Sequence, residues 1–121
     1  MTNALVIDDN RQPADILCQL LSLLDIEAIP AYGSRAAMLH LRDQVPDIVF
    51  LDLSMPGVSG FEVLAYLRRE PRLIHVPVFI VTSDDQPETA REARELGAMD
   101  VIIKPASIEA LENALRLANL L

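Results

Sequence analysis

The chain is short of the residues that would tie it to an oxidising compartment, to nucleic acid or to a membrane. It has one cysteine, Cys18, in 121 residues. No intramolecular disulfide can form, and a reducing cytoplasm is the expected setting. Cations are few: ten Lys and Arg stand against 18 Asp and Glu, a formal net charge of −8. Phosphate backbones and anionic lipid surfaces are bound by clustered Lys and Arg, so neither nucleic acid nor a membrane surface is an expected direct partner. No apolar run approaches the roughly 20 residues that span a bilayer. The start, Met1-Thr2-Asn3, carries no basic residue, and the apolar run Ala4–Ile7 stops at Asp8. A signal peptide is therefore not expected. Repeats, linker-like stretches and low-complexity tracts are also missing from the sequence.

What is there is apolar and regularly punctuated. The chain is 51% hydrophobic with a mean hydropathy of +0.27, enough to bury a core, and residues 1–121 are read as one domain. Short apolar runs alternate with longer amphipathic segments. Ala4–Ile7 reads as a strand, followed by a helix from Pro13 to Leu24 with Ile16, Leu17, Leu20, Leu21 and Leu24 at helical spacing. Glu27–Ala31 is a weak strand whose Pro30 suits a sheet edge, because proline cannot donate to a ladder. Ser34 is a candidate cap for a helix over Ala36–Gln44, with Leu39 and Leu41 among its apolar residues. Ile48–Leu51 is a wholly apolar strand ending at Asp52, and the loop Ser54–Ser59 leads to a helix over Phe61–Arg69. Val76–Val81 is the next strand, ending at Thr82-Ser83. A charged helix, Pro87–Leu96, closes at Gly97. Val101–Ile103 ends at Lys104-Pro105, and Ser107–Asn119 is the last helix, with Ile108, Leu111, Leu115 and Ala118 as its inner stripe. Five strands alternate with five helices, and the continuously apolar strands among them predict an α/β fold, a doubly wound parallel sheet covered on both faces.

The chemistry-bearing residues share one placement. Asp8 and Asp9 follow the first strand, Asp52 ends the third, Thr82 the fourth and Lys104 the fifth. Ligands of open α/β sheets bind beyond the carboxyl ends of the strands, where the strand order reverses. With order 2-1-3-4-5, Asp8, Asp9 and Asp52 converge. Three carboxylates together repel one another unless a positive group intervenes. Mg²⁺, a hard cation that takes oxygen ligands, fits that need. Lys104 adds a second positive charge, and Thr82 offers a hydroxyl donor to an incoming phosphoryl oxygen. The set suits a carboxylate nucleophile that attacks phosphorus.

In these motifs the sequence resembles the receiver domains of two-component response regulators. The residues that carry the resemblance are Val6-Ile7-Asp8-Asp9-Asn10, Asp52-Leu53-Ser54-Met55-Pro56-Gly57 with Gly60, Val81-Thr82-Ser83, and Lys104-Pro105. They occur in family order across nearly the whole chain. The resemblance implies a flavodoxin-like (β/α)5 fold and a phosphoacceptor switch served by a sensor histidine kinase or a phosphotransfer protein. It implies that Asp52 is the phosphoacceptor. Asp9 and Asp52 would bind Mg²⁺ directly, Asp8 through water, and Ser54 through its backbone carbonyl. Thr82 and Lys104 take the switching and phosphate-contact roles, and a cis bond is expected before Pro105. The output is altered protein–protein contact around the helix from Pro87, the last strand and the last helix, in a monomer or weak dimer.

Two positions depart from the family pattern. Val101 stands where many receivers carry Tyr or Phe, and the Asp100-Val101 pair lacks the acidic-aromatic pattern of receivers that dimerise through their last helices. Asp84, two residues after Thr82, is expected at the rim of the site, where it would affect phosphodonor access or acyl-phosphate hydrolysis. Two other functions remain open on the residues alone. An aspartyl-nucleophile phosphatase would need a second acid two residues after Asp52, where Ser54 stands. An interaction module working without phosphorylation would have no use for the intact acidic set. Asp8-Asp9 also has a plain alternative role as a helix cap, as do Thr82 and Ser83. Cys18 reads as an inert residue of the first helix. His40 and His75 are too isolated for a metal pair, with His75 exposed, and Glu88–Glu95 reads as a solvated face with intrahelical pairs.

Overall fold

The computed structural model describes all residues, 1–121. Five strands, β1 (Asn3–Ile7), β2 (Glu27–Ala31), β3 (Ile48–Asp52), β4 (Val78–Thr82) and β5 (Asp100–Ile103), form one sheet in the order β2-β1-β3-β4-β5. All four pairings are parallel. Between and after them run α1 (Arg11–Ser22), α2 (Ser34–Asp43), α3 (Gly60–Arg69), α4 (Pro87–Glu95) and α5 (Ile108–Leu117). This is the doubly wound, flavodoxin-like arrangement that the apolar strands predict.

Every residue of β3 and β4 is buried, and alternate side chains serve two cores. Leu5, Ile7, Val49, Leu51, Val78 and Ile80 pack with residues of α2, α3 and α4, such as Leu41, Leu64 and Ala93. Val6, Ile48, Phe50, Phe79 and Val81 pack with residues of α1 and α5, such as Leu17, Leu21 and Leu111. Phe50 and Phe79 stack with ring centroids 6.0 Å apart. Each such fully buried large side chain contributes about 1.5–3 kcal/mol. β2 is an edge strand, which is where Pro30 costs no ladder bond.

Several local expectations shift. The first helix begins at Arg11, because the Asn10 side chain accepts the Gln12 N–H as its cap. The second begins at Ser34, after Gly33. Leu39 is 51% exposed: the buried pair Ala37 and Leu41 is four apart, and the residue between them faces outward. Ile16 is half-exposed for the same reason, since the buried set of α1 is Ala14, Leu17 and Leu21. The fourth strand starts at Val78, because Pro77 has no N–H; its carbonyl still accepts from Val49. In α5 the buried stripe is Leu111, Ala114 and Leu115, with Ile108 only half-buried. The expected intrahelical pairs of α4 are not formed; Arg94 instead reaches Asp100 of β5 at 3.1 Å.

One side chain ties three connections together. The half-buried Arg68 donates to the carbonyls of Leu73, Ile74 and Val76 between α3 and β4, and twice to Gly97 at the end of α4. It has no carboxylate partner within 4.0 Å, and burial pushes its pKa down. Gly97 has φ +107°, and a Cβ there would lie 2.8 Å from Arg68 Nε. Both demands restrict the position to glycine. Arg68→Met keeps the stem but strands these carbonyls, so it is expected to cost roughly 2–4 kcal/mol in urea unfolding. An unchanged midpoint and slope would show that water replaces the guanidinium freely.

Candidate functional site

Strand register brings the acids together. Ile7 of β1 pairs with Leu51 of β3, which sets Asp8 level with Asp52. Asp52 pairs with Val81, and Thr82 with Ile103, so Thr82 and Lys104 emerge at the same edge of the sheet. One carboxylate oxygen each from Asp8, Asp9 and Asp52 lies within 4.8 Å of the others. Asp8 and Asp52 are both 5% exposed, while Asp9 is open to solvent. Lys104, the one lysine of the chain, places Nζ 3.0 Å from Asp8 Oδ2 and 3.3 Å from Asp52 Oδ1. Asp8 Oδ1 accepts the Asn10 N–H at 3.0 Å. The predicted cis bond between Lys104 and Pro105 is present.

The loop after β3 is shaped by a close approach. A Cβ on Gly60 would lie 2.4 Å from the Asp52 carbonyl oxygen and 2.7 Å from Leu53 Cα. Only glycine lets α3 begin directly behind the strand end. Ser54 is exposed in this loop, and Met55 is buried beneath it.

Thr82 is 2% exposed. Its carbonyl accepts the Lys104 N–H at 2.8 Å, and its hydroxyl oxygen accepts the Asp84 N–H at 3.1 Å. The carboxylate of Asp84 is not one of the clustered acids. It is taken up locally, accepting from the Gln86 N–H at 2.9 Å and the Thr89 hydroxyl at 2.6 Å. These two bonds hold its pKa below the ordinary carboxylate range. A role at the rim of the acidic pocket does not follow from that geometry.

The electrostatics follow from burial. Burial raises the Asp52 pKa and the Asp8 charge raises it further, while Lys104 and the Ser54 amide pull it down. For Lys104, burial pulls the pKa down, but hydrogen bonding to Asp8 and the charges of Asp52 and Asp8 prevail, and the net shift is upward. Three carboxylates against one ammonium leave an uncompensated formal charge of two, within reach of a small ion. This oxygen-rich donor set fits Mg²⁺.

Sequence reasoning missed a cavity of about 330 Å³ beside these charges, walled by Pro13, Ile16 and Leu20 of α1 with Pro105 and Ala106 opposite. Ile16 gave no signal of this in the sequence, where it reads as part of the apolar pattern of its helix; only the structure shows it outside the buried set Ala14, Leu17 and Leu21. Cys18 lies on the same helix and is half-buried; burial, with the Asp15 charge, pushes its thiol up to about 11, consistent with an inert residue. His75 is exposed, and neither histidine joins a ligand cluster.

The parallel sheet thus gathers two buried carboxylates, an exposed acid and a lysine at its carboxyl edge. The family model of the response regulator receiver domain matches residues 4–116, and the chain belongs to that family. It is 36% identical over 110 residues to a probable cyclic di-GMP phosphodiesterase of Vibrio cholerae, covering 90% of this chain but 24% of that protein. It is 31% identical over 108 residues to a two-component response regulator of Oryza sativa subsp. japonica, covering 88% of each. The receiver domain of a DNA-binding response regulator from Colwellia psychrerythraea superposes with a TM-score of 0.89 at 28% identity, covering 97% of both chains. The chain is thus a two-component receiver domain and a phosphoacceptor switch, of a family regulated by phosphorylation and typically binding Mg²⁺. Receivers of this kind work with sensor histidine kinases or phosphotransfer proteins. No helix is long and apolar enough to cross a membrane.

The raised Asp52 pKa has a consequence for stability. The folded protein holds a proton on Asp52 more tightly than the unfolded chain does. The stability this gives is fully present below the ordinary value of 3.8 and is lost as pH rises through the raised folded value. At neutral pH the ionised Asp52 is therefore a net cost. Asp52→Asn, measured by urea unfolding in chelator, is expected to be more stable than wild type at pH 7. The gain should shrink as the pH falls to about 4. A less stable variant at pH 7 would mean that the Lys104 contact outweighs burial.

Proposed function

We propose that Asp52 is the phosphoacceptor of this domain, with Lys104 and Thr82 as its phosphate-contact and switching residues. The observation that carries the reading is the Lys104 ammonium, 3.3 Å from the Asp52 carboxylate at the mouth of an acidic cluster. An Asp52 oxygen attacks phosphorus of a phosphohistidine donor. The P–O bond forms, the P–N bond breaks, and the imidazole nitrogen keeps the bonding pair. Lys104, already bridging Asp8 and Asp52, supports charge on the transferring oxygens. The cavity along α1 gives the donor side chain room to approach.

Asp8, Asp9, Asp52 and the Ser54 carbonyl would hold Mg²⁺. Bound there, the ion neutralises negative charge on the phosphoryl oxygens. The acyl phosphate adds roughly −1.5 to −2 of charge, by analogy with other phosphorylated side chains, to a pocket already short of cations. The Thr82 hydroxyl is the donor that responds. Valine at position 101 has no ring to exchange between exposed and buried states; it packs half-buried against the core under α4. The change therefore reaches α4, β5 and α5 through the backbone after Thr82. Residues 1–121 act as one receiver domain, in the cytoplasm, and the whole protein's output partner is another protein.

The test is incubation with acetyl phosphate with and without Mg²⁺, the modified residue being mapped by mass spectrometry. One Mg²⁺-dependent label on Asp52 is expected, absent in Asp52→Asn and slowed roughly 100-fold in Lys104→Met. An unlabelled wild type would favour an interaction module that works without phosphorylation. Turnover of a phosphomonoester would favour the phosphatase reading.

A further inference from the structure

Asp84 makes three hydrogen bonds within the connection between β4 and α4 and the first turn of that helix. Asp84 donates its backbone N–H to the Thr82 hydroxyl oxygen at 3.1 Å. Its side chain points the other way along the chain. One carboxylate oxygen accepts the Gln86 N–H at 2.9 Å and the other accepts the Thr89 hydroxyl at 2.6 Å. Gln86 is the cap residue of α4, and its own side chain makes no capping bond. Asp84 therefore supplies the side-chain cap of this helix from two residues upstream, while its amide is bonded to the hydroxyl of the buried Thr82.

We propose that Asp84 is a positioning residue that links the Thr82 hydroxyl to the first turn of α4, so that the two move as one unit. This rests on the assignment of Thr82 as the switching residue. A hydroxyl has one donor and two acceptor sites. Thr82 can give its proton to a phosphoryl oxygen while still accepting the Asp84 N–H. When the hydroxyl moves toward the phosphoryl group, the Asp84 amide follows it. The Asp84 carboxylate then carries Gln86 and Thr89 with it. The other end of α4 is held by Arg68 on the Gly97 carbonyl, so displacement at the first turn becomes rotation of the helix about its C-terminal end. This chain has no aromatic at position 101 to report the change, and the Asp84 link runs by hydrogen bonds directly from the Thr82 hydroxyl to the first turn of α4.

The test is amide hydrogen exchange of residues 84–96, with and without acetyl phosphate and Mg²⁺, in wild type, Asp84→Ala, Asp84→Asn and Thr89→Val. Labelling of Asp52 is followed in the same samples. Asp84→Ala should still label. Its resting Gln86 amide, which loses its acceptor, should exchange about fivefold faster, the size of one lost cap. The phosphorylation-dependent change in α4 should fall by a similar factor or more. Asp84→Asn keeps a carbonyl acceptor for Gln86 and should restore much of the response, and Thr89→Val should give an intermediate one. Should Asp84→Ala fray α4 at rest, the Asn and Val variants decide. A wild-type α4 response in any labelled variant that has lost these bonds overturns the link. No label in wild type instead overturns the assignment of Asp52.

Discussion

Two buried carboxylates, Asp8 and Asp52, share one ammonium, Lys104. That contact is the constraint on which the rest of the molecule turns. Ionised carboxylates are costly to bury unless paired, and two of them beside one lysine are under-compensated. The fold places both acids where buried apolar segments end, Ala4–Ile7 before Asp8 and Ile48–Leu51 before Asp52. The register of a parallel sheet also leaves them nowhere else to go. A pocket short of positive charge is electrostatically suited to a hard cation.

The surrounding structure serves that pocket. Gly60 lets α3 begin against the Asp52 carbonyl, which keeps the loop after β3 tight. Thr82 and Lys104 are joined backbone to backbone, so the hydroxyl and the ammonium are presented from one continuous edge. Arg68 fastens the far end of α4 to the α3–β4 connection. The near end of the same helix is left to a single capping carboxylate. Both ends of α4 are thus held by hydrogen bonds from side chains outside the helix.

Much of this was legible in the sequence because it depends on strand ends. Apolar runs such as Ile48–Leu51 mark buried parallel strands, and the polar residue that stops each run is the one exposed to chemistry. Asp8, Asp52, Thr82 and Lys104 were found that way. What was not legible depends on helix rotation and side-chain reach. Leu39 and Ile16 look like core residues by type but fall a half-turn from the buried stripe. The partners of Arg68 are carbonyls, which leave no pattern in a sequence. Asp84 was read as a rim acid because its distance from Thr82 along the chain is short. Its capture by Gln86 and Thr89 is a matter of loop geometry, although a threonine in the first turn of a helix whose cap position is glutamine was a usable clue.

Three carboxylates against one ammonium leave the acidic cluster electrostatically incomplete. Thermal unfolding at neutral pH, with chelator and then with Mg²⁺ well above its dissociation constant, measures this directly. A clear rise in stability with Mg²⁺ is expected, about 2.7 kcal/mol at a hundredfold excess over the dissociation constant, and little or none in a variant with Asp9 and Asp52 both changed to Asn. A wild-type melting curve that Mg²⁺ does not move would contradict it.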